Sequence, residues 1–157
     1  MDRVSDVATA VESTVDSLVA VLDIARMAQS PAVPPTQLRV LTIVAGNGHT
    51  NMNRLAEALD VVPSSASRLC DRLEATGLLR RAPDPRDRRE VRLVLTPAAR
   101  RMLDELRERR RTALAEVLAR MTAAGQQELV RALAAFDAAA EVGEQEDEAA
   151  GEDLRTA

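Results

Sequence analysis

The sequence of 157 residues has no lysine, tryptophan or tyrosine, and it has one phenylalanine, one cysteine and one histidine. Because Phe136 is the only aromatic residue, we expect a core of Leu, Val, Ala, Ile and Met. A single Cys excludes a disulfide within the chain and is typical of a reducing compartment. His49 and Cys70 alone do not supply the three or four ligands of a zinc site. We therefore expect neither a metal nor a disulfide.

Signals for a membrane and for catalysis are missing as well. No basic, apolar leader opens the sequence, and no apolar run approaches the roughly 20 residues that cross a membrane. We expect a cytoplasmic protein with no membrane partner. The sequence has no phosphate-binding loop, no Gly-rich nucleotide fingerprint and no serine with a suitable histidine partner. These absences argue against an enzyme and against a cofactor.

Arginine is abundant, and its distribution is uneven. All 21 basic residues are arginines, and the net charge is −4. The segment from Arg54 to Arg111 has 15 arginines and 10 acidic residues, whereas residues 143–157 have six acidic residues and one arginine. A basic middle followed by an acidic end indicates a surface for nucleic acid and a solvated tail.

Apolar residues recur at intervals of three and four near both ends, which places them on one face of a helix. The first stripe predicts a helix over about residues 4–29, before a run of prolines that ends it. Its members are Val4, Val7, Val11, Val15, Leu18, Val19, Leu22 and Ala25. Two more helices, one that begins at Pro97 after the capping residue Thr96 and one capped by Thr122, cover about residues 97–141. We expect these helices to pair with those of a second copy; packing within one chain is the alternative.

The middle of the chain predicts a winged helix-turn-helix over about residues 36–96. Asn51 can cap a short third helix that ends at Leu59. A fourth helix begins at Pro63 and ends at Gly77, which suits a left-handed backbone. Residues 78–81 and 90–95 alternate as two strands of a hairpin, and a short strand is possible near His49. The fold class is mainly α (α+β), in one unit over residues 1–142 with N- and C-terminal dimerisation helices, before a disordered acidic tail over residues 143–157.

The fourth helix has one apolar and one polar face. Ala66, Leu69, Cys70 and Leu73 face inward, where Cys70 serves as a small apolar residue rather than a redox sensor. The predicted DNA-binding residues of this helix are Pro63, Ser64, Ser65, Ser67, Arg68 and Arg72. We expect Arg68 to contact a base or a phosphate, because Arg can bind guanine O6 and N7 together. Its alternative role is a surface ion pair with Asp71 or Glu74.

The hairpin tip is the second predicted DNA-binding element. Arg86, Arg88 and Arg89 lie at or just after the tip, and narrow minor grooves attract arginine. Asp84 and Asp87 are expected to hold these arginines in place, since phosphate repels a carboxylate. The alternative is a solvated charged loop that does not touch DNA.

Several segments are similar to those of the MarR family of bacterial transcription regulators. They are Leu55-Ala56-Glu57, Ser64-Ser65-Ala66-Ser67-Arg68-Leu69, Asp71-Arg72-Leu73-Glu74, Gly77-Leu78-Leu79-Arg80-Arg81, Asp84-Pro85-Arg86-Asp87-Arg88-Arg89 and Leu95-Thr96. The run Asp87-Arg88-Arg89 before a strand that ends in Leu-Thr is the most specific part. The resemblance covers about residues 5–140. Asp60, Val62 and Ala99 depart from the family pattern, which has Gly, a capping Ser and Gly there.

The resemblance implies a homodimer that binds double-stranded DNA at a palindromic site near a promoter, usually as a repressor. It assigns minor-groove binding to Arg89. It also implies release by a small ligand, often phenolic or otherwise aromatic, held between the dimer helices and the winged domain. Because the chain has so few aromatic residues, we expect a mainly aliphatic pocket and a small, apolar or phenolic ligand.

Two other functional interpretations of the sequence remain open. A winged helix can serve as a protein-interaction module without affinity for DNA, but such an interface is expected to have apolar anchors on the outer face of the fourth helix. An enzyme is the third reading, and it lacks a catalytic constellation. The polar, arginine-bearing face of the fourth helix favours the DNA-binding regulator.

Overall fold

The computed structural model of the chain describes residues 3–27, 33–46, 50–85 and 90–153, with side chains as far as residue 140. In chain order its elements are α1 (Arg3–Met27), α2 (Pro35–Gly46), β1 (Thr50–Asn51), α3 (Met52–Leu59), α4 (Pro63–Ala75), β2 (Leu79–Pro83), β3 (Val91–Leu95), α5 (Pro97–Leu118) and α6 (Ala123–Asp153). The chain divides into two compact units, Met1–Leu114 and Ala115–Ala157. Among the described helices, none has the length and apolar character that a membrane span requires.

The predicted helix caps are confirmed. Asn51 accepts a hydrogen bond from the Arg54 backbone N–H at 3.0 Å and so caps α3. Thr96 Oγ1 accepts from the Ala99 N–H at 3.2 Å at the start of α5, and Thr122 Oγ1 accepts from the Gly125 N–H at 3.1 Å before α6. Each cap satisfies an amide that the first turn of a helix leaves without a partner.

Two left-handed residues end the helices of the central segment. Asp60 follows α3 with φ of 53°, and Gly77 follows α4 with φ of 71°. Gly has no Cβ to hinder this conformation, and Asp tolerates it better than most residues. Val62 begins α4 without a side-chain cap, as its apolar side chain dictates.

The strands form an antiparallel sheet in the order β1-β3-β2. β2 and β3 pair from Leu79 with Leu95 to Pro83 with Val91, one or two residues further along β2 than the sequence predicts. β1 adds the short strand expected near His49, with Thr50 opposite Leu93. His49 itself lies outside the described residues. The mainly α fold class with a small sheet is therefore confirmed.

The core lies in the first unit and is aliphatic, as the composition predicts. Side chains of α2, α3, α4, the sheet and the start of α5 form it. Its members are Val33, Leu38, Val40, Leu41, Val44, Leu55, Ala56, Leu59, Ala66, Cys70, Leu73, Leu79, Leu93, Leu95, Ala99, Leu103 and Leu106. Strand alternation places Val91 on the same face as Leu93 and Leu95, but Val91 is 51% exposed because it pairs with Pro83 next to the hairpin tip, beyond the core.

Apolar residues of α1 and α6 lie outside this core. The stripe of α1 is exposed from Val4 to Val19, and only Ala25 of this helix is buried. In the second unit, α6 exposes Leu129, Val130, Leu133 and Phe136. The helix continues beyond residue 141 to Asp153 and so includes most of the acidic segment, where the sequence favoured a disordered tail.

Candidate nucleic-acid interface

Helices α3 and α4 form the two helices of a helix-turn-helix. The turn between them consists of Asp60, Val61 and Val62, and the Val61 N–H closes it by donating to the Ala56 carbonyl at 3.0 Å. Ala66, Cys70 and Leu73 on the inner face of α4 are buried, and Leu69 packs partly buried against the core. These apolar contacts fix which face of α4 is turned to solvent.

The predicted contact residues of α4 differ in exposure. Pro63, Ser64, Arg68 and Arg72 are exposed, whereas Ser65 and Ser67 are half-buried. Ser67 is turned toward the sheet, where its hydroxyl oxygen accepts a hydrogen bond from Arg81 at 3.3 Å. Thus Ser64, Arg68 and Arg72 are the accessible residues among the predicted polar contacts, and Ser67 stands at their edge.

Arg81 of β2 makes the ion pairs that hold α4 to the sheet. Its guanidinium binds Asp71 Oδ1 at 2.9 Å and also pairs with Glu74 Oε2. Its backbone N–H donates to Glu74 Oε1 at 2.8 Å. Burial alone would lower the pKa of the Arg81 guanidinium, but the hydrogen bond with Asp71 and the charge of Glu74 outweigh it, and the pKa is raised. We call Arg81, Ser67, Asp71 and Glu74 the Arg81 cluster.

The Arg81 cluster changes the interpretation of Arg68. The sequence left open an ion pair of Arg68 with Asp71 or Glu74, but both carboxylates bind Arg81. Among the described residues, neither Arg68 nor Arg72 has an ion-pair partner. Both guanidinium groups are therefore available for an anion, and phosphate and guanine edges are the acceptors that arginine prefers on DNA.

The wing is the hairpin of β2 and β3, and the structure describes all of it except residues 86–89 at the tip. The Asp84 N–H donates to the Glu90 carbonyl at 2.8 Å, which closes the hairpin just before its tip. The Asp84 side chain is half-buried. Arg86, Asp87, Arg88 and Arg89 lie outside the described residues, so their assignment to the wing contact stays a prediction from the sequence.

Cys70 is fully buried on the inner face of α4, as its position on the apolar stripe predicts. Burial raises the pKa of its thiol to about 11, because desolvation and the charges of Asp71 and Glu74 outweigh the opposing effect of Arg81. Since the thiolate is the reactive form, a protonated and buried thiol is a poor nucleophile at neutral pH. These properties agree with a structural role.

A cleft of about 440 Å³ lies between α2, β3 and α5 in the first unit. Its lining residues are Val44, Ala45, Arg92, Leu93, Val94, Leu95, Arg100, Leu103, Asp104 and Arg107. Arg107 pairs with Asp104 at 2.8 Å, whereas the Nε of Arg92 is buried and has no hydrogen-bond partner among the described residues. The sequence predicts a mainly aliphatic pocket; this cleft has aliphatic walls and three arginines in addition.

Arg81 and Arg92 are the residues of interest that sequence reasoning missed. The sequence places Arg81 at the end of a predicted strand, close to the three arginines of the hairpin tip, and does not distinguish its role from theirs. Its role follows from a signal that is visible in retrospect: Ser67, Asp71 and Glu74 are spaced four and three apart, so they share the face of α4 beside β2. Arg92 has no such signal, because the cleft is formed by elements distant in sequence.

Comparisons with known proteins agree with this architecture. A model of the MarR family matches residues 33–90. The HTH-type transcriptional repressor MdtR of Bacillus subtilis is 31% identical over 94 residues, which are 60% of this chain. The matched part is 61% of that repressor's length, less than two thirds of it.

Solved structures extend the likeness to nearly the whole chain. RV1404 from Mycobacterium tuberculosis is 33% identical, with a TM-score of 0.79 over 88% of this chain and 95% of that one. A MarR family protein from Bacillus stearothermophilus is 21% identical and has a TM-score of 0.76, over 90% of this chain and 99% of its own. At that lower identity the second likeness concerns the fold alone.

Proposed function

Because the chain belongs to the MarR family of transcription regulators, which are not enzymes, we propose that it is a homodimeric repressor of a palindromic operator. A small-molecule ligand releases it from the DNA. The observation that carries the proposal is the exposed, polar face of α4, on which Arg68 and Arg72 have no ion-pair partner among the described residues. A regulator of this kind acts in the cytoplasm, where the DNA is.

In this proposal α4 is the recognition helix. Its first turns enter the major groove, as the second helix of a helix-turn-helix does. Ser64 and Arg68 reach base edges or phosphates, and Arg72 lies one turn further along the same face. The hairpin tip, with Arg86, Arg88 and Arg89, follows the backbone into the adjacent minor groove.

The operator can be found without knowledge of the target gene. Duplexes that bind the protein are selected from a random pool and sequenced. We expect a consensus of two inverted half-sites with centres about 10 base pairs apart, or a multiple of that, because each protomer presents one α4 to one face of the DNA. Failure to enrich any sequence would refute sequence-specific DNA binding. A consensus without inverted symmetry would refute binding as a symmetric dimer.

Arg68→Ala should weaken binding to the selected operator by about 1–3 kcal/mol per half-site if the guanidinium contacts a base. The loss should be smaller on random duplexes of the same length, because they share only the phosphate contacts. Titrations of both DNAs under one salt condition measure the difference. Arg101→Ala, which removes an exposed arginine from α5, is the matched control. Equal losses on both DNAs would assign Arg68 to the phosphate backbone instead.

The cleft between α2, β3 and α5 supports release by a ligand. Its volume lies within the roughly 300–1,000 Å³ of small-molecule sites. Arg92 and Arg100 face it with positive charge that Asp104, paired with Arg107, does not neutralise. A small organic anion with an apolar body fits this lining, and a phenolic acid is one such molecule.

Benzoate and benzyl alcohol are matched probes of this cleft, because they share a ring and differ in charge. We expect millimolar benzoate to raise the melting temperature by a few degrees and to weaken operator binding, whereas benzyl alcohol does neither. Arg92→Gln should abolish the benzoate effect, and Arg101→Gln, which lies outside the cleft, should leave it intact. Equal effects of the two probes, or none from benzoate, would show that the cleft is not an anion site.

A further inference from the structure

The Arg81 cluster links the wing to the helix that carries the DNA-reading residues. Arg81 belongs to β2, and Ser67, Asp71 and Glu74 follow one face of α4 over two turns. The side chains of Arg81 and Glu74 are each 30% exposed and that of Asp71 is 59% exposed, so the pair with Glu74 is partly shielded and the pair with Asp71 lies nearer to solvent. β2 is an edge strand of the sheet, and the Arg81 backbone N–H at that edge donates to Glu74. Both the side chain and the backbone of Arg81 thus contact α4.

The geometry also determines which charges of α4 remain available. Asp71 lies three positions after Arg68, a spacing at which helix side chains pair. Arg81 Nη2 binds Asp71 Oδ1 at 2.9 Å, which turns the Asp71 carboxylate toward β2. The Glu74 carboxylate pairs with the same guanidinium. Without Arg81, the Asp71 carboxylate would be free to pair with Arg68, and both carboxylates would be free to repel phosphate. Arg81 of β2 therefore keeps Arg68 of α4 available for DNA.

We propose that Arg81 is a positioning residue for DNA recognition: it fixes α4 against β2 and withdraws Asp71 and Glu74 from the DNA-facing charges without touching DNA itself. This inference rests on the proposed function, since it assigns α4 to the DNA. It separates Arg81 from Arg86, Arg88 and Arg89, which the sequence places in the same arginine-rich hairpin.

The test compares Arg81→Met with Arg80→Met, which removes the same charge from the neighbouring, exposed position of β2. Operator affinity is measured at several salt concentrations, after melting curves and sedimentation have shown each variant to be folded and dimeric. We expect Arg81→Met to lose roughly tenfold or more in operator affinity, while the slope of log affinity against log salt stays as in the wild type. A positioning residue neutralises no phosphate, so it releases no counterion.

Rescue distinguishes a positioning role from a merely structural one. Asp71→Asn and Glu74→Gln, added to Arg81→Met, remove the carboxylates that Arg81 no longer binds. We expect them to restore most of the lost affinity. Arg81→Lys keeps the charge but not the forked geometry, and it should lose several-fold in affinity with the slope unchanged. If Arg81→Met does not fold, the affinity and slope of Arg81→Lys are compared with those of the wild type instead.

Three outcomes would overturn the proposal. A slope that falls by roughly 2 in the dimer would mean that Arg81 contacts phosphate, at about 0.9 for each of two protomers. Affinity equal to that of the wild type in Arg81→Met and Arg81→Lys would mean that the cluster does not affect binding. Failure of the carboxylate substitutions to restore affinity would refute the charge argument. A wild type that selects no DNA sequence would instead refute the proposed function, which the same assay establishes first.

Discussion

Leu18→Arg is expected to convert the dimer into monomers and to weaken operator binding by roughly 10²–10⁴-fold. Leu18 lies in the middle of the apolar stripe of α1 and is 45% exposed in the single chain. In the proposed dimer the substitution places a charge from each protomer in an apolar interface, which carries a high desolvation cost. Each monomer then binds one half-site by itself, and the gain in affinity that comes from binding both half-sites together is lost.

Sedimentation at micromolar concentration checks the first step and an operator titration the second. The wild type should sediment as a species of twice the chain mass of 17.0 kDa, and Leu18→Arg as a single chain. Ser13→Arg is the control, because Ser13 is exposed on the opposite face of α1. A monomeric wild type, or a Leu18→Arg variant that stays dimeric with full affinity, would show that the stripe of α1 has another use.

The three arginines of the wing tip should contribute to the salt dependence of operator affinity. We expect the triple substitution Arg86→Ala, Arg88→Ala and Arg89→Ala to weaken operator binding strongly while fold and dimer persist. The Asp84–Glu90 backbone bond closes the hairpin before these residues, so the core does not require their side chains. Each arginine that neutralises a phosphate contributes about 0.9 to the slope, hence roughly 2 for a dimer.

Single variants then divide this effect among the three arginines. Arg89→Ala should in addition lose any preference for A·T-rich flanks, because narrow minor grooves attract arginine by their negative potential. Arg89→Lys is the matched control, since it keeps the charge and should retain most of the slope. If affinity and slope are unchanged in the triple variant, the wing does not touch DNA, and binding depends on α4 alone.

The features that the sequence predicts correctly are those that depend on near neighbours. The caps Asn51, Thr96 and Thr122 each bind an amide three positions ahead, and this spacing is visible in the sequence. The left-handed ends of α3 and α4 follow from the residue types Asp60 and Gly77. The inner face of α4 follows from helical periodicity alone.

The features that the sequence does not predict join distant elements. Arg81 binds residues seven to fourteen positions earlier, across a turn whose path decides which carboxylate it reaches. The cleft combines α2, β3 and α5; helical spacing groups Arg100 with Arg107 on α5, but it does not place Arg92 beside them. The extension of α6 to Asp153 was missed because an acidic segment without apolar residues has no helical stripe to mark it.

Thr96 explains part of the pattern by which the family is recognised. Its hydroxyl donates to the Gly77 carbonyl at 2.7 Å and accepts from the Ala99 N–H at 3.2 Å, so one oxygen joins the turn after α4 to the first turn of α5. A carboxylate at this position accepts but does not donate, and an amide divides the two roles between different atoms. Only a hydroxyl does both from a single point. The Leu95-Thr96 pair thus reflects how α4 and α5 are joined. Its presence in a sequence does not depend on which DNA sequence the protein recognises.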